Sequence, residues 1–257
     1  EIHKAAWGRR WPYQRRAIIT NKGCGLDSDE SDKHRGDKSD SYYSREVKPT
    51  HWEYTCLGGI EKLTKALTFR TRLQPNLIIR DDYEVIQLAL ERDLKYLQST
   101  SKNSAAYVVT GNSEIGLTGF VLYLLLYRLE RRLPTAIQVC AEYYFIFDDR
   151  GVAKLGAYQT SERLTAGTWA LCDGGKEASQ PCHAFQPGIV TILQVTSARM
   201  DKWKTWSNQL FAKLYVLDVP RAIEVAAITK ENGFKPTDAI TISKKWGTVP
   251  RTIFYIL

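Results

Sequence analysis

A β-prone run, Ala105–Thr110, leads into a loop that contains two glycines and then into a long apolar segment. β-branched and aromatic residues favour a strand over the first of these segments. The apolar segment Gly119–Tyr127 is well short of the roughly 20 residues that cross a bilayer, so it predicts a buried helix that ends near Arg132. We therefore predict a strand, a loop and a helix in direct succession, which favours the α/β class of folds.

Further β-prone segments follow this helix, and helical segments lie between several of them. The predicted strands are Thr135–Val139, Tyr144–Phe147, Thr168–Cys172, Thr191–Val195 and Leu214–Leu217, and the predicted helices are Asp82–Leu97, Arg199–Ala212 and Arg221–Glu231. Strands that alternate with helices indicate a mainly parallel sheet flanked by helices. A hydrophobic content of 44% is that of a folded domain, and we predict no transmembrane segment.

The first fifty residues differ in composition from the rest of the chain. Ser, Asp, Lys and Gly dominate residues 23–44, and such a segment buries too little apolar surface to offset the entropy lost on ordering. Trp7–Arg16 mixes aromatic and basic residues, which is typical either of nucleic-acid contact or of a solvated tail. We therefore expect residues 1–50 to be a basic and polar segment without stable structure and residues 51–257 to form one domain.

The net charge of +8 is spread along the chain and is not gathered into one basic block, so it does not single out nucleic acid as a partner. The five cysteines form no C-x-x-C pair, which favours reduced structural thiols over a zinc site.

The loop between the first strand and its helix matches the phosphate-binding frame G-x-x-x-x-G-K-[ST], called Walker A or P-loop, except at the lysine. Its candidate nucleotide-binding residues are Gly111, Asn112, Ser113, Ile115, Gly116, Leu117 and Thr118. In an intact loop the backbone N–H groups hold the phosphates, the lysine neutralises them and the hydroxyl binds Mg²⁺. Leu117 replaces the lysine, and Glu114 adds a carboxylate that repels phosphate unless it points to solvent. The alternative interpretation is a glycine-containing turn without a ligand.

A second candidate lies at the end of the strand Gly167–Asp173. P-loop proteins keep a magnesium-binding aspartate at the end of a buried strand, so Asp173 is the expected partner of Thr118 in a metal site and a candidate catalytic residue. In the alternative interpretation Asp173 only opens the turn before Gly174.

These segments resemble the P-loop domain of crinkler-type and retrotransposon-hot-spot-type proteins of filamentous fungi and oomycetes. The similar segments are Val108–Gly111, Ile115–Gly116, Phe120–Leu126, Ile79–Tyr83, Gly167–Asp173, Gln194–Ser197, Arg199–Trp206 and Lys245–Arg251. The likeness extends over roughly residues 52–257. The family loop is close to T-G-x-P-G-I-G-K-[ST], so this chain departs from it at Ser113, Glu114 and Leu117.

The resemblance implies a P-loop NTPase domain of the AAA/STAND-like class that binds ATP with Mg²⁺. It implies that Thr196 or Ser197 is a polar sensor at the end of a strand and that Arg251 is a catalytic arginine that meets the terminal phosphate. The alternatives are that Thr196 and Ser197 cap the next helix and that Arg251 is one surface cation among many. The family also suggests a secreted effector that acts in the nucleus or cytoplasm of a host cell.

We therefore expect ATP binding with weak or lost hydrolysis, because Leu117 provides neither charge nor a hydrogen bond. The alternative is a non-catalytic effector-type scaffold that binds a host protein or nucleic acid. A third interpretation is that the sequence comes from a degenerating gene copy. The damaged loop, the absent initiator methionine and the abrupt C-terminus are the features that suggest it.

Overall fold

The computed structural model describes residues 1–20, 50–69, 74–99, 105–112, 114–174, 180–185, 189–197 and 203–257. Within them the helices are α1 (Ile2–Ala6), α2 (Ile60–Ala66), α3 (Asp81–Ser99), α4 (Leu117–Glu130), α5 (Lys204–Gln209), α6 (Ala222–Glu231), α7 (Pro236–Trp246) and α8 (Pro250–Ile256). The strands are β1 (Tyr13–Thr20), β2 (Thr50–Leu57), β3 (Leu77–Ile78), β4 (Ala106–Gly111), β5 (Thr135–Gln138), β6 (Tyr143–Asp148), β7 (Gly151–Gly156), β8 (Trp169–Asp173), β9 (Thr191–Ser197) and β10 (Lys213–Val216).

Seven strands of the described residues form the main sheet, in the order β10-β4-β9-β8-β5-β6-β7. The pairings from β10 to β5 are parallel, whereas β6 and β7 extend one edge as antiparallel strands. Every residue of β4 is buried, as expected of an inner strand covered on both faces. The mainly parallel α/β sheet expected from the sequence is confirmed.

Side-chain alternation along β4 divides the core into two layers. Tyr107 and Val109 pack in the core layer that contains the buried residues of α4, and Val108 packs in the layer that contains Trp206 of α5. Helix α4 is apolar around most of its circumference because it lies between the sheet and α3. Among the described helices, none is long and apolar enough to cross a membrane.

The carboxyl ends of β4, β8 and β9 meet at one edge of the sheet. In the pairing register Gly111 lies opposite Ser197, and Asp173 lies opposite Val195. The chain leaves β4 for β5 on one side and returns to β10 on the other, so β4 is a point where the strand order reverses. Ligands of open α/β sheets bind at the carboxyl ends of the strands at such a point.

Residues 1–20 differ from the expected unstructured segment. Helix α1 and strand β1 occupy most of this stretch, and β1 pairs antiparallel with β2 along its whole length. Trp11 and Ile18 are buried. The pairing was not visible in the sequence because the partner strand begins only at Thr50. The remainder of the expected segment, residues 21–49, lies outside the described residues.

The other differences concern element lengths. The expected helix Arg199–Ala212 is, in its described part, only the six residues of α5, and residues 198–202 lie outside the description. Strand β7 and helices α7 and α8 are additions to the expected elements.

A buried carboxylate joins the three-stranded sheet β1-β2-β3 to α6. Glu231 accepts hydrogen bonds from the hydroxyl of Tyr54 at 2.8 Å and from Nδ2 of Asn76 at 3.1 Å, and it forms an ion pair with Arg16. Burial by itself raises the pKa of Glu231, but the hydrogen bonds from Tyr54 and Arg16 outweigh it, so the pKa is lowered. The ionised carboxylate therefore stabilises the fold.

We expect Glu231→Gln to lower the free energy of unfolding by about 1–2 kcal/mol at pH 7, the range for hydrogen bonds to a charged group beside a partly exposed arginine. A lowered pKa means that this stabilisation is present above pH 5 and is lost as the pH falls below about 4. Urea unfolding at several pH values measures the difference between the two proteins. Glu61→Gln, at an exposed position of α2, is the control; equal losses in both variants would contradict the assignment.

Candidate functional site

Two buried side chains hold the backbone of the loop between β4 and α4. Nη1 of Arg80 donates a hydrogen bond to the carbonyl oxygen of Ile115 at 2.9 Å, and the hydroxyl of Tyr83 donates to that of Gly116 at 2.7 Å. A trans peptide directs its C=O and the following N–H to opposite sides. The N–H groups of Gly116 and Leu117 therefore point away from Arg80 and Tyr83, toward the open side of the loop.

The loop ends at the N-terminus of α4, where further N–H groups are free of intrahelical partners. The first bond of the helix runs from the N–H of Phe120 to the carbonyl oxygen of Gly116, at 3.0 Å. No side chain of the described residues caps this end. The N–H groups of Leu117, Thr118 and Gly119 thus precede the hydrogen-bonded ladder, and the helix dipole adds partial positive charge there. An anion is the natural partner of such an end.

At both glycine positions of the loop there is no room for a side chain. A Cβ on Gly116 would lie 2.5 Å from the hydroxyl of Tyr83, and the residue has a φ of 101°, in the left-handed region. A Cβ on Gly111 would lie 2.6 Å from the carbonyl oxygen of Leu217, just beyond β10. Both glycines therefore let the loop lie close against its neighbours.

Thr118 and Asp173, the two candidate metal ligands, are in direct contact. Oγ1 of Thr118 donates a hydrogen bond to Oδ2 of Asp173 at 3.0 Å. Burial raises the pKa of Asp173 to about 6, and the hydrogen bond from Thr118 offsets this only in part. A carboxylate with a raised pKa is one whose charge is poorly compensated, so a cation bound between these oxygens would be stabilised.

The two candidate sensors occupy different surroundings. Thr196 is buried, and its hydroxyl donates to the carbonyl oxygen of Gly174 at 3.2 Å, which fixes the turn after Asp173. A Cβ on Gly174 would lie 2.8 Å from Thr196, so this turn is also tightly packed. Ser197 is only partly buried and lies beside Gly111 in the sheet. Ser197 is therefore the better placed of the two to contact a ligand of the loop.

Arg251, near the start of α8, reaches the edge of the loop. Its Nη1 forms an ion pair with Oε1 of Glu114, and the arginine side chain is 72% exposed. Glu114, the carboxylate expected to repel phosphate, is thus turned toward a cation. Its φ of 79° is unusual for a residue other than glycine. This pair could not be predicted from the sequence, because it joins residues 137 positions apart.

The remaining residues of the expected site contribute no charged group to it. Leu117 is partly buried and packs against the core layer that contains Phe120, so it brings no charge to the loop. Asn112 is exposed, and Ser113 lies outside the described residues. In the described part of the chain, no cluster of three or more acidic, histidine or cysteine side chains could hold a metal ion by itself. A metal at Thr118 and Asp173 would need further ligands from phosphate or water.

Arg80 and Tyr83 are site residues whose role the sequence did not predict. They belong to the Ile79–Tyr83 segment that carries the family resemblance, but contact with a loop more than thirty residues further along the chain is visible only in the fold.

No protein-family model matches this chain, and no curated protein matches it either. The geometry described above must therefore carry any functional assignment.

We expect Asp173→Asn to raise the thermal stability of the protein at pH 7.5. With a folded-state pKa of about 6, above the ordinary value near 4, the wild-type carboxylate destabilises the fold progressively between pH 4 and pH 6. Asparagine keeps an oxygen for the Thr118 hydroxyl and carries no charge. The gain is on the order of 2 kcal/mol, or a few degrees in Tm.

Thermal unfolding between pH 4 and pH 8 measures this gain. The Tm values of the two proteins should converge at pH 4, where the wild-type carboxyl is neutral. A difference that stays constant across this range would contradict the raised pKa of Asp173.

Proposed function

We propose that the protein binds a magnesium–nucleoside triphosphate, with ATP the expected nucleotide, as a crinkler-like P-loop NTPase domain of the AAA/STAND-like class, and that hydrolysis is weak or lost. One observation carries the proposal: the outward-pointing amides of Gly116 and Leu117 lie next to the paired oxygens of Thr118 and Asp173. Phosphate groups and a hard cation are the chemistry that suits these neighbours.

In this proposal the backbone binds the phosphates. The N–H groups of residues 116–119 donate to phosphate oxygens, and the dipole of α4 favours their charge. Because hydrogen bonds from Arg80 and Tyr83 fix the loop carbonyls, little conformational entropy is lost when phosphate binds.

Mg²⁺ would lie between the oxygens of Thr118 and Asp173 and would neutralise charge on the bound phosphates. Oγ1 of Thr118 and Oδ2 of Asp173, which share a 3.0 Å hydrogen bond, would be the ligands that the protein offers to the ion. Phosphate oxygens and water would supply the further ligands that Mg²⁺ needs.

Arg251 is the cation available to the terminal phosphates in place of the missing lysine. Its ion pair with Glu114 is exposed, and pairs of this kind contribute only about 0–1 kcal/mol. A triphosphate with several negative charges can therefore draw Arg251 away from Glu114 at small cost. In this interpretation Glu114 holds Arg251 beside the loop until a nucleotide binds.

Loss of the lysine affects catalysis more than binding. Charge that develops on the phosphates in the transition state needs a fixed cation, and removal of one such group typically costs a factor of 10²–10³ in rate. Leu117 cannot replace it, so we propose a nucleotide-binding or nucleotide-switch domain with little turnover.

We expect calorimetric titration with Mg-ATP to give weak binding by the wild-type protein and at least tenfold tighter binding by Leu117→Lys, with some hydrolysis regained. Leu117→Met, which changes the shape but not the charge, is the matched control and should bind like wild type. Thr118→Val should lose the dependence of binding on magnesium.

Arg251→Ala tests the arginine separately. We expect it to weaken Mg-ATP binding severalfold, whereas Arg92→Ala, which removes an exposed arginine of α3, should leave the affinity unchanged. If neither wild type nor Leu117→Lys binds any nucleotide, the proposal is wrong, and the scaffold that binds a host protein or nucleic acid takes precedence.

A further inference from the structure

A cavity of about 400 Å³ lies between the segment before β1, the helix α3 and the far half of α4. Its volume is within the range of small-molecule sites. Along α4 its lining begins at Tyr123, six residues beyond the helix start at Leu117, so at a rise of about 1.5 Å per residue it begins roughly 9 Å from the loop before α4. No loop residue lines it within the described chain.

One polar side chain of this cavity is buried without a full set of partners. Gln87 is 4% exposed, and its Nε2 has no hydrogen-bond partner among the described residues. Its Oε1 accepts only a long hydrogen bond, 3.4 Å, from the hydroxyl of Tyr123. If the amide is turned over, its oxygen is left unpaired instead, so one polar atom lacks a partner in either orientation. An unpaired buried amide group lowers the stability of a fold by about 1–3 kcal/mol. An unpaired group of this kind in a folded protein therefore needs an explanation, such as a ligand that pairs with it.

Aromatic rings and arginines form much of the remaining wall. The guanidinium of Arg10 lies 3.8 Å from the ring centroid of Tyr13, and that of Arg131 lies 3.6 Å from the ring centroid of Tyr127. Both pairs line the cavity. Planar groups of this kind stack on the faces of heterocycles.

The charges of the wall nearly cancel. Glu84 and Glu130 line the cavity together with Arg10 and Arg131. A site for a polyanion would carry a clear positive excess. The wall is better suited to a planar ligand whose edge offers both an acceptor and an amino group.

We propose that this cavity binds a nucleobase that carries an exocyclic amino group beside a ring acceptor, as adenine does. A glutamine amide forms a two-bond pair with the amino group and ring nitrogen of adenine, which would give Gln87 its missing partner. The tyrosines stack on the base, and a carboxylate, that of Glu84 or Glu130, accepts from the second N–H of the amino group. The mixed aromatic and basic segment Trp7–Arg16 thereby gains a role, since Arg10 and Tyr13 come from it.

The base can come from a free nucleoside or from a single strand of nucleic acid. The chemistry at Gln87 is the same for both, and the proposal does not depend on the phosphate loop. Adenosine, which has no phosphate, and an oligonucleotide of eight deoxyadenosines distinguish the two sources.

The test is titration of the full chain with adenosine, uridine and the oligonucleotide. We expect adenosine to bind at least tenfold more tightly than uridine, which lacks the exocyclic amino group. Gln87→Leu should weaken adenosine binding at least tenfold and leave Tm unchanged or raised, because it removes the unpaired buried amide. Thr118→Val, which alters only the phosphate loop, should bind adenosine like wild type.

Arg10→Ala provides a second variant outside the packed core. Arg10→Ala should weaken adenosine binding. The neighbouring Arg9 is exposed and does not line the cavity, so Arg9→Ala should leave adenosine binding unchanged. Tighter binding of the oligonucleotide than of adenosine supports a strand as the source, and equal binding supports a free nucleoside. Absence of binding, equal affinity for uridine, or full binding by Gln87→Leu would overturn the proposal.

Discussion

The buried guanidinium of Arg80 connects the parts of the protein that meet at the loop between β4 and α4. It donates hydrogen bonds to the carbonyl oxygens of Ile115 at 2.9 Å and Asp218 at 2.8 Å, and its Nε lies 3.7 Å from the carboxylate of Glu224. A buried charge costs several kcal/mol unless it is paired, so these groups are constrained to remain together. The loop, the end of β10 and the start of α6 therefore keep one arrangement.

This constraint separates the shape of the loop from its charge. Arg80 and Tyr83 orient the loop from inside the fold. In the proposed function, charge would have to come from a lysine on the outer side, where this chain has Leu117. If the loop binds phosphate as proposed, Leu117 leaves the backbone geometry in place and provides none of the charge that a lysine would contribute to catalysis. The exposed pair of Arg251 and Glu114 lies at the edge of the same loop and connects it to α8.

Local sequence patterns predicted the centre of the fold well and its margins poorly. The strand and helix around the loop were expected because β-branched and apolar residues there form long uniform runs, as β4 and α4 confirm. Strand β1 was missed because its charged residues hide the alternation and its partner is distant in the chain. The hydrogen bonds from Arg80 and Tyr83 to the loop could not be predicted either, because both depend on how α3 packs against α4.

The proposed function requires the amides of residues 116–118 to donate to a phosphate. The most direct measurement is a titration with Mg-ATP followed through the backbone ¹⁵N–¹H resonances of Gly116, Leu117 and Thr118. We expect these three resonances to shift first and furthest, while those of the β6–β7 edge stay in place. If these three resonances do not move at saturating nucleotide, the amides do not bind phosphate and the proposed function is wrong.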